Sequence, residues 1–161
     1  MVPDVTFERN YTLTLGGKTV ELLYLGPNHG DCLTVMLIPD AKILFEVGLA
    51  APGMVRGAGG RMYDTSPTEL IRTLKEIEET DDFERYMPGH GPAIASKAAM
   101  TEVRGYLEAL MEAVRRALAA GTLPAEVPNK IDLPDYRHFI GYDQDMRHNA
   151  ERIVAYYVTG N

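Results

Sequence analysis

The sequence predicts an α/β protein in which helices cover mainly one face of a mixed β-sheet. The first observation is that strand-like runs separated by turn residues fill the chain up to Gly48. The second is that the apolar period changes to that of helices from Ser66 onwards. The third is the length of 161 residues, which suits a single domain spanning residues 1–161.

Four strands are predicted before the change of period. Gly16-Gly17 and Pro39-Asp40-Ala41 are turn signals, and each separates two strand-like runs. The runs CLTVMLI and KILFEV are almost wholly apolar, which predicts strands inside the sheet that are covered on both faces. The predicted strands are Val5–Leu15, Lys18–Gly26, Cys32–Ile38 and Lys42–Val47.

Three helices follow, with a short strand, FERYM, between the first and the second. Ser66 is predicted to cap the first helix, with Glu69 completing a capping box, and Gly121 to end the second. The glycine-rich segment from Ala50 to Ser66 has no apolar period and is interpreted as either a functional loop or a surface loop without a specific role. The predicted helices are Pro67–Glu79, Lys97–Ala120 and Asp145–Val158.

Composition excludes several classes of protein. A hydrophobic content of 45% is enough for a core. The net charge of −7, without a basic run, argues against nucleic-acid binding. Cys32 is the single cysteine, so no internal disulfide can form, and we interpret it as a small buried apolar residue. No apolar segment suits a leader or a membrane span, so a soluble cytoplasmic protein without membrane contact is expected.

Two of the four histidines lie in similar settings. His29 in GPNHGD and His90 in PGHGP each follow a strand and are bracketed by glycine or proline. Such loops project an imidazole from the end of a sheet, and imidazole is a common zinc ligand. The pair therefore predicts a candidate metal site. His138 and His148 lie in the helical part of the chain and are interpreted as surface or packing residues.

The blocks LYLGPNHGDCLTVMLIPDAKILF and YMPGHGPAIASKAAMTEVRGYLEALMEAV resemble the C-terminal half of the metallo-β-lactamase superfamily. The resemblance extends from about Phe7 to Tyr157. It implies one half of an αββα sandwich, a metal-dependent hydrolase ancestry, zinc as the cofactor, and His29 and His90 as metal ligands.

Two features depart from the superfamily pattern. The His-x-His-x-Asp-His motif, which in the family supplies most ligands of a binuclear site, is missing from this sequence. The position of the bridging aspartate falls on Gly48, within FEVGLA. Two imidazoles hold a divalent metal poorly, because zinc sites use three or four protein ligands. We therefore expect weak or absent zinc binding and weak or lost hydrolysis, as in a degenerate enzyme.

Two carboxylates are candidates to repair the site. Glu46 lies two residues before Gly48, so it points to the same side of the strand. Alternatively, Glu46 pairs with an arginine or lies in water at the end of the strand. Asp31 follows His29 closely and is a candidate to orient the imidazole as a hydrogen-bond acceptor, or to bind the metal.

The apolar central strands also predict a partner. If helices cover one face of the sheet, the other face needs cover, and a second copy of the chain is the simplest candidate.

Three functions are considered. The first is a metal-dependent hydrolase-like protein completed by Glu46 or the partner chain. The second is a metal-free small-molecule binding or regulatory module, and the third is a partner that completes a separate N-terminal half. The substrate is not predicted.

Overall fold

The computed structural model describes residues 3–57, 66–80 and 82–160. The predicted loop Ala50–Ser66 therefore lies partly outside the described residues. The strands are β1 (Asn10–Leu15), β2 (Lys18–Tyr24), β3 (Thr34–Ile38), β4 (Ile43–Glu46), β5 (Arg85–Pro88) and β6 (Ala95–Ser96). The α-helices are α1 (Pro67–Glu79), α2 (Lys97–Ala119) and α3 (Tyr142–Thr159).

The strands form one mixed sheet in the order β1-β2-β3-β4-β5-β6. Neighbouring strands are antiparallel except β4 and β5, which are parallel. Helix α1 lies in the connection between these two, as a parallel pair requires a crossover. Strand β3 is paired on both sides, so the predicted interior position of the Cys32–Ile38 run is confirmed.

The two faces of the sheet differ in burial. Leu37, Leu44 and Tyr86 pair directly across neighbouring strands and lie in the core, each at most 3% exposed. They form one cluster with buried residues of all three helices, so the prediction that helices pack mainly on one face is confirmed. The opposite face carries a second row of directly paired side chains, called here the open-face row: Tyr11, Leu22, Met36, Phe45 and Met87.

The helical layer begins as predicted. The side chain of Ser66 accepts a hydrogen bond from the backbone N–H of Glu69 at 3.3 Å, and Pro67 occupies the first turn. The carboxylate of Glu69 does not complete the capping box in the expected way, because it accepts from Arg72 one turn further on. Arg104 of α2 joins the two helices by donating from Nε to Oε1 and from Nη2 to Oε2 of Glu78 in α1.

Two predicted boundaries were wrong by three residues or more. Strand β1 begins at Asn10 and not at Val5, whose side chain is exposed, and helix α3 begins at Tyr142 and not at Asp145. Cys32 is exposed as well, so its interpretation as a buried residue was wrong. Strand β6 was not predicted, because a two-residue strand has no period. Across the described ranges, every helix is too short or too polar to cross a membrane.

Candidate functional site

His29 lies in the loop after β2, where a buried asparagine shapes the backbone. The side chain of Asn28 donates to the carbonyl of Gly26 at 2.9 Å and accepts from the backbone N–H of His29 at 2.6 Å. Asn28 is fully buried, whereas His29 is exposed. Asn28 therefore stabilises the loop from its buried side, and the imidazole of His29 lies at the surface of the loop.

The imidazole of His29 packs against Gly48, just after the end of β4. A Cβ atom at Gly48 would lie 2.6 Å from Cδ2 of His29 and 3.1 Å from its Nε2. The φ angle of Gly48 is +100°, a conformation that residues with a side chain rarely adopt. Both the backbone and the neighbouring ring therefore require glycine where the superfamily resemblance implies an aspartate.

Glu46 points into the core and is only 1% exposed. Its carboxyl group accepts hydrogen bonds from the backbone N–H of Leu49 at 2.6 Å and of Ala50 at 3.1 Å. Burial raises the pKa of Glu46 to about 7, and the two backbone hydrogen bonds and the charge of Arg56 only partly oppose this rise. This carboxyl group thus stabilises the turn that follows β4, because it accepts hydrogen bonds from two backbone N–H groups of that turn.

The hydroxyl of Tyr86 lies between Glu46 and Ala50. Its oxygen is 2.8 Å from the carbonyl of Ala50 and in very short contact with Oε1 of Glu46. A tyrosine hydroxyl has one hydrogen to donate, and the Ala50 carbonyl can only accept. In the protonated form, Glu46 can donate to Tyr86 while Tyr86 donates to Ala50. This arrangement is compatible with the raised pKa of Glu46.

Arg56 is brought to the site by the segment that follows Gly48. Met54 forms an isolated bridge with Ile140, just before α3, and this contact anchors the segment. The guanidinium of Arg56 donates to the carbonyl of Leu49 at 3.0 Å and to that of Gly48 at 2.7 Å. Arg56 is 6% exposed, so a permanent positive charge is buried at the end of β4.

The same guanidinium faces His29. Nη2 of Arg56 lies 3.4 Å from Nδ1 of His29. Arginine has only donors, so Nδ1 is the acceptor in any hydrogen bond between these two groups. The structure thus places a positively charged side chain next to one of the two imidazoles that the superfamily resemblance makes metal ligands.

His90 follows β5 at the same end of the sheet. The backbone N–H of Gly89 donates to the carbonyl of Glu46 at 2.8 Å, and Gly89 packs on the side chain of Val47. His90 itself is exposed. The loops that carry His29 and His90 thus both contact the segment from Glu46 to Gly48.

The other candidates lie elsewhere. Asp31 is exposed and lines a groove with Cys32 and the N-terminal segment. His138 contacts Glu102 at 3.0 Å on the surface, and Nδ1 of His148 lies 3.9 Å from Asp145.

The described residues do not fit a zinc ion. No three or more His, Cys, Asp or Glu side chains among them lie together as a metal-binding group. Glu46 is directed into the core, Gly48 offers no side chain, and Nδ1 of His29 faces Arg56.

Sequence reasoning missed Arg56, Tyr86 and Asn28. A buried glutamate after ILF signals that polar partners must exist, and an arginine was one of the alternatives considered. Nothing in the sequence indicated which arginine, because Arg56 lies in a segment without period.

Neither protein-family models nor curated protein sequences match this chain. Solved structures do match it. A metallo-β-lactamase from Pontibacter korlensis is 22% identical with a TM-score of 0.58, over 67% of this chain and 50% of that one. A metallo-β-lactamase family protein from Thermus thermophilus is 15% identical with a TM-score of 0.66, over 99% of this chain and 50% of the other.

A third structure is the stereoselective inverting sec-alkylsulfatase from Pseudomonas sp., which is 15% identical with a TM-score of 0.76 over 98% of this chain and 27% of that one. The chain thus spans half or less of the length of these structures. At such identities the likeness concerns the fold. The chain has the fold of metallo-β-lactamase family proteins, over a segment that corresponds to half or less of their length.

Proposed function

We propose that this chain is a metallo-β-lactamase-like, hydrolase-related protein whose metal site is incomplete and whose hydrolytic activity is weak or lost. The observation that carries the proposal is the contact between the Arg56 guanidinium and Nδ1 of His29. It places a permanent cation next to one of the two imidazoles that the superfamily resemblance makes metal ligands.

Glu46 does not supply a further metal ligand. It is the nearest candidate in sequence, but its oxygens accept from Leu49 and Ala50 and contact the hydroxyl of Tyr86. Binding zinc would require Glu46 to lose its proton and to leave these buried groups without a partner, at about 1–3 kcal/mol for each buried group. Zinc needs three or four protein ligands, so the two histidines alone give weak affinity.

A metal-free binding module is the second candidate, and the same contact favours it. His29 is exposed at the surface of its loop, and the positively charged Arg56 lies next to its ring. Such a pair of side chains suits a small ligand that carries an acceptor oxygen, and binding it needs no metal.

Zinc titration by calorimetry tests the proposal. The wild-type chain is compared with His29→Ala and His90→Ala, and with His138→Ala as the matched control, because His138 is an exposed histidine paired with Glu102 outside the candidate site. We expect no tight stoichiometric uptake by any of the four proteins. Tight 1:1 uptake by the wild type that both site substitutions abolish, and that His138→Ala retains, would overturn it.

Turnover assays provide the second arm. Two substrates follow from the names of the structural neighbours, namely a β-lactam and a secondary alkyl sulfate. We expect the wild type, in the presence of added zinc, to hydrolyse neither substrate faster than His90→Ala does. A rate that is at least about tenfold higher in the wild type, equivalent to about 1.4 kcal/mol, would contradict the loss of catalysis.

A further inference from the structure

The open-face row lies on the side of the sheet away from the helices. Its central side chain, Met36, is 37% exposed, and the neighbouring Leu13 and Val47 on the same face are each 47% exposed. The five members of the row pair directly across five strands, so they form one continuous apolar strip. The strip is roughly 19 Å wide, given about 4.8 Å between strands.

Such a strip is unusual on a surface that faces water. Isolated apolar side chains are common there, but soluble monomers rarely expose contiguous apolar patches of more than a few hundred Å². A larger patch usually marks an interaction site. The open-face row is adjoined by the exposed side chains of Leu13 and Val47, so it is a candidate interaction surface.

We propose that a second copy of this chain covers the open face through two-fold symmetric packing of sheet on sheet. A two-fold axis brings the same surface against itself, so the surface must tolerate its own charges. No described side chain in the open-face row is charged. Two copies therefore meet there without like charges facing one another.

Two charged side chains at the rim of this face already have partners within the same chain. Lys18, at the end of β2, lies 3.7 Å from the carboxylate of Asp40. Arg85, at the start of β5, donates to the carbonyl of Ala41 at 2.8 Å. Lys18 and Arg85 thus already contact groups of their own chain, and an identical apolar face suits this rim.

The comparison of lengths agrees with a second copy. The Thermus thermophilus protein matches 99% of this chain with 50% of its own length. Two copies of this chain therefore have about the length of one such chain. The proposed dimer has four layers, with two sheets about 10 Å apart inside and a helical layer outside each.

Sedimentation and light scattering of the full chain at about 10 µM test the proposal. We expect a particle of twice the 17.8 kDa chain mass. Met36→Glu should halve this mass with an unchanged circular dichroism spectrum, because its side chain already faces away from the core. Leu123→Glu is the matched control, since Leu123 is 63% exposed but lies in the loop after α2, and this variant should remain a dimer.

A second measurement locates the interface. Methyl signals of methionine are followed on dilution, and those of Met36 and Met87 should shift while that of the fully buried Met100 should not. If Met36→Glu fails to fold, Leu13→Lys takes its place, since Leu13 is nearly half exposed on the same face.

Three outcomes would overturn the proposal. The first is a wild-type monomer at about 10 µM, including one that associates only with a separate protein carrying the other half of the fold. The second is a dimer that survives both open-face substitutions. The third is a dimer whose Met36 and Met87 signals are unchanged on dilution.

Discussion

The raised pKa of Glu46 predicts an unusual dependence of stability on pH. Burial raises the pKa of this carboxyl from 4.5 to about 7 in the folded chain. The folded state therefore binds a proton more tightly than the unfolded state between these values. It follows that the free energy of unfolding falls as pH rises from about 4.5 to about 7, and then no longer depends on this group.

The magnitude follows from the size of the shift. A difference of one pH unit between folded and unfolded pKa corresponds to about 1.4 kcal/mol, so Glu46 accounts for a loss of about 3 kcal/mol between about pH 4.5 and about pH 8. Small proteins have a total stability of about 5–15 kcal/mol, so a loss of this size is measurable. Its sign is opposite to that of an exposed carboxylate in an ion pair.

Glu46→Gln isolates the effect. The amide has the shape of the protonated carboxyl and can donate to Tyr86, but it carries no charge at any pH. Urea unfolding is followed by circular dichroism at intervals from about pH 4.5 to about pH 8, and the wild-type stability minus that of Glu46→Gln should fall by about 3 kcal/mol across this range. Glu79→Gln, which removes an exposed carboxylate of α1, is the control and should give no such difference.

A constant difference between the wild type and Glu46→Gln over the whole pH range would refute this reasoning. It would mean that Glu46 has the same pKa in the folded and unfolded states. The assignment of the proton between Glu46 and Tyr86 would then be wrong.

Two further predictions concern the same sheet end and the helical layer. Gly48→Asp introduces the residue implied by the superfamily resemblance. It should destabilise the chain by about 1–3 kcal/mol and not create zinc binding, because φ is +100° and the new Cβ meets the His29 ring. Calorimetry and thermal unfolding check this, and tight zinc uptake at unchanged stability would contradict it. Arg104→Met should lower the free energy of unfolding by about 2–4 kcal/mol, because it leaves the half-buried carboxylate of Glu78 without its bidentate partner. The control Arg116→Met, on the exposed side of α2, should lower it by less than about 1 kcal/mol. Equal losses in urea unfolding would contradict this prediction.

Local sequence determined the elements of this fold. The helix Pro67–Glu79 could be predicted to the residue, since Ser66, Pro67 and the apolar period act within a few positions of one another. The turn Pro39–Ala41 is likewise a local property, seen in the structure as a short 3₁₀ segment. The absence of a side chain at Gly48 was also readable from the sequence alone.

Only the tertiary structure decided which side chains meet at the end of β4. Arg56 reaches His29 because the Met54–Ile140 bridge joins segments that lie far apart in the chain. Tyr86 meets Glu46 because β5 pairs in parallel with β4 across a helical crossover. Neither contact has a local signal, since a side chain's partner across a sheet depends on register and on the path of the intervening chain. The raised pKa of Glu46 and the proximity of Arg56 to His29 follow from these tertiary contacts.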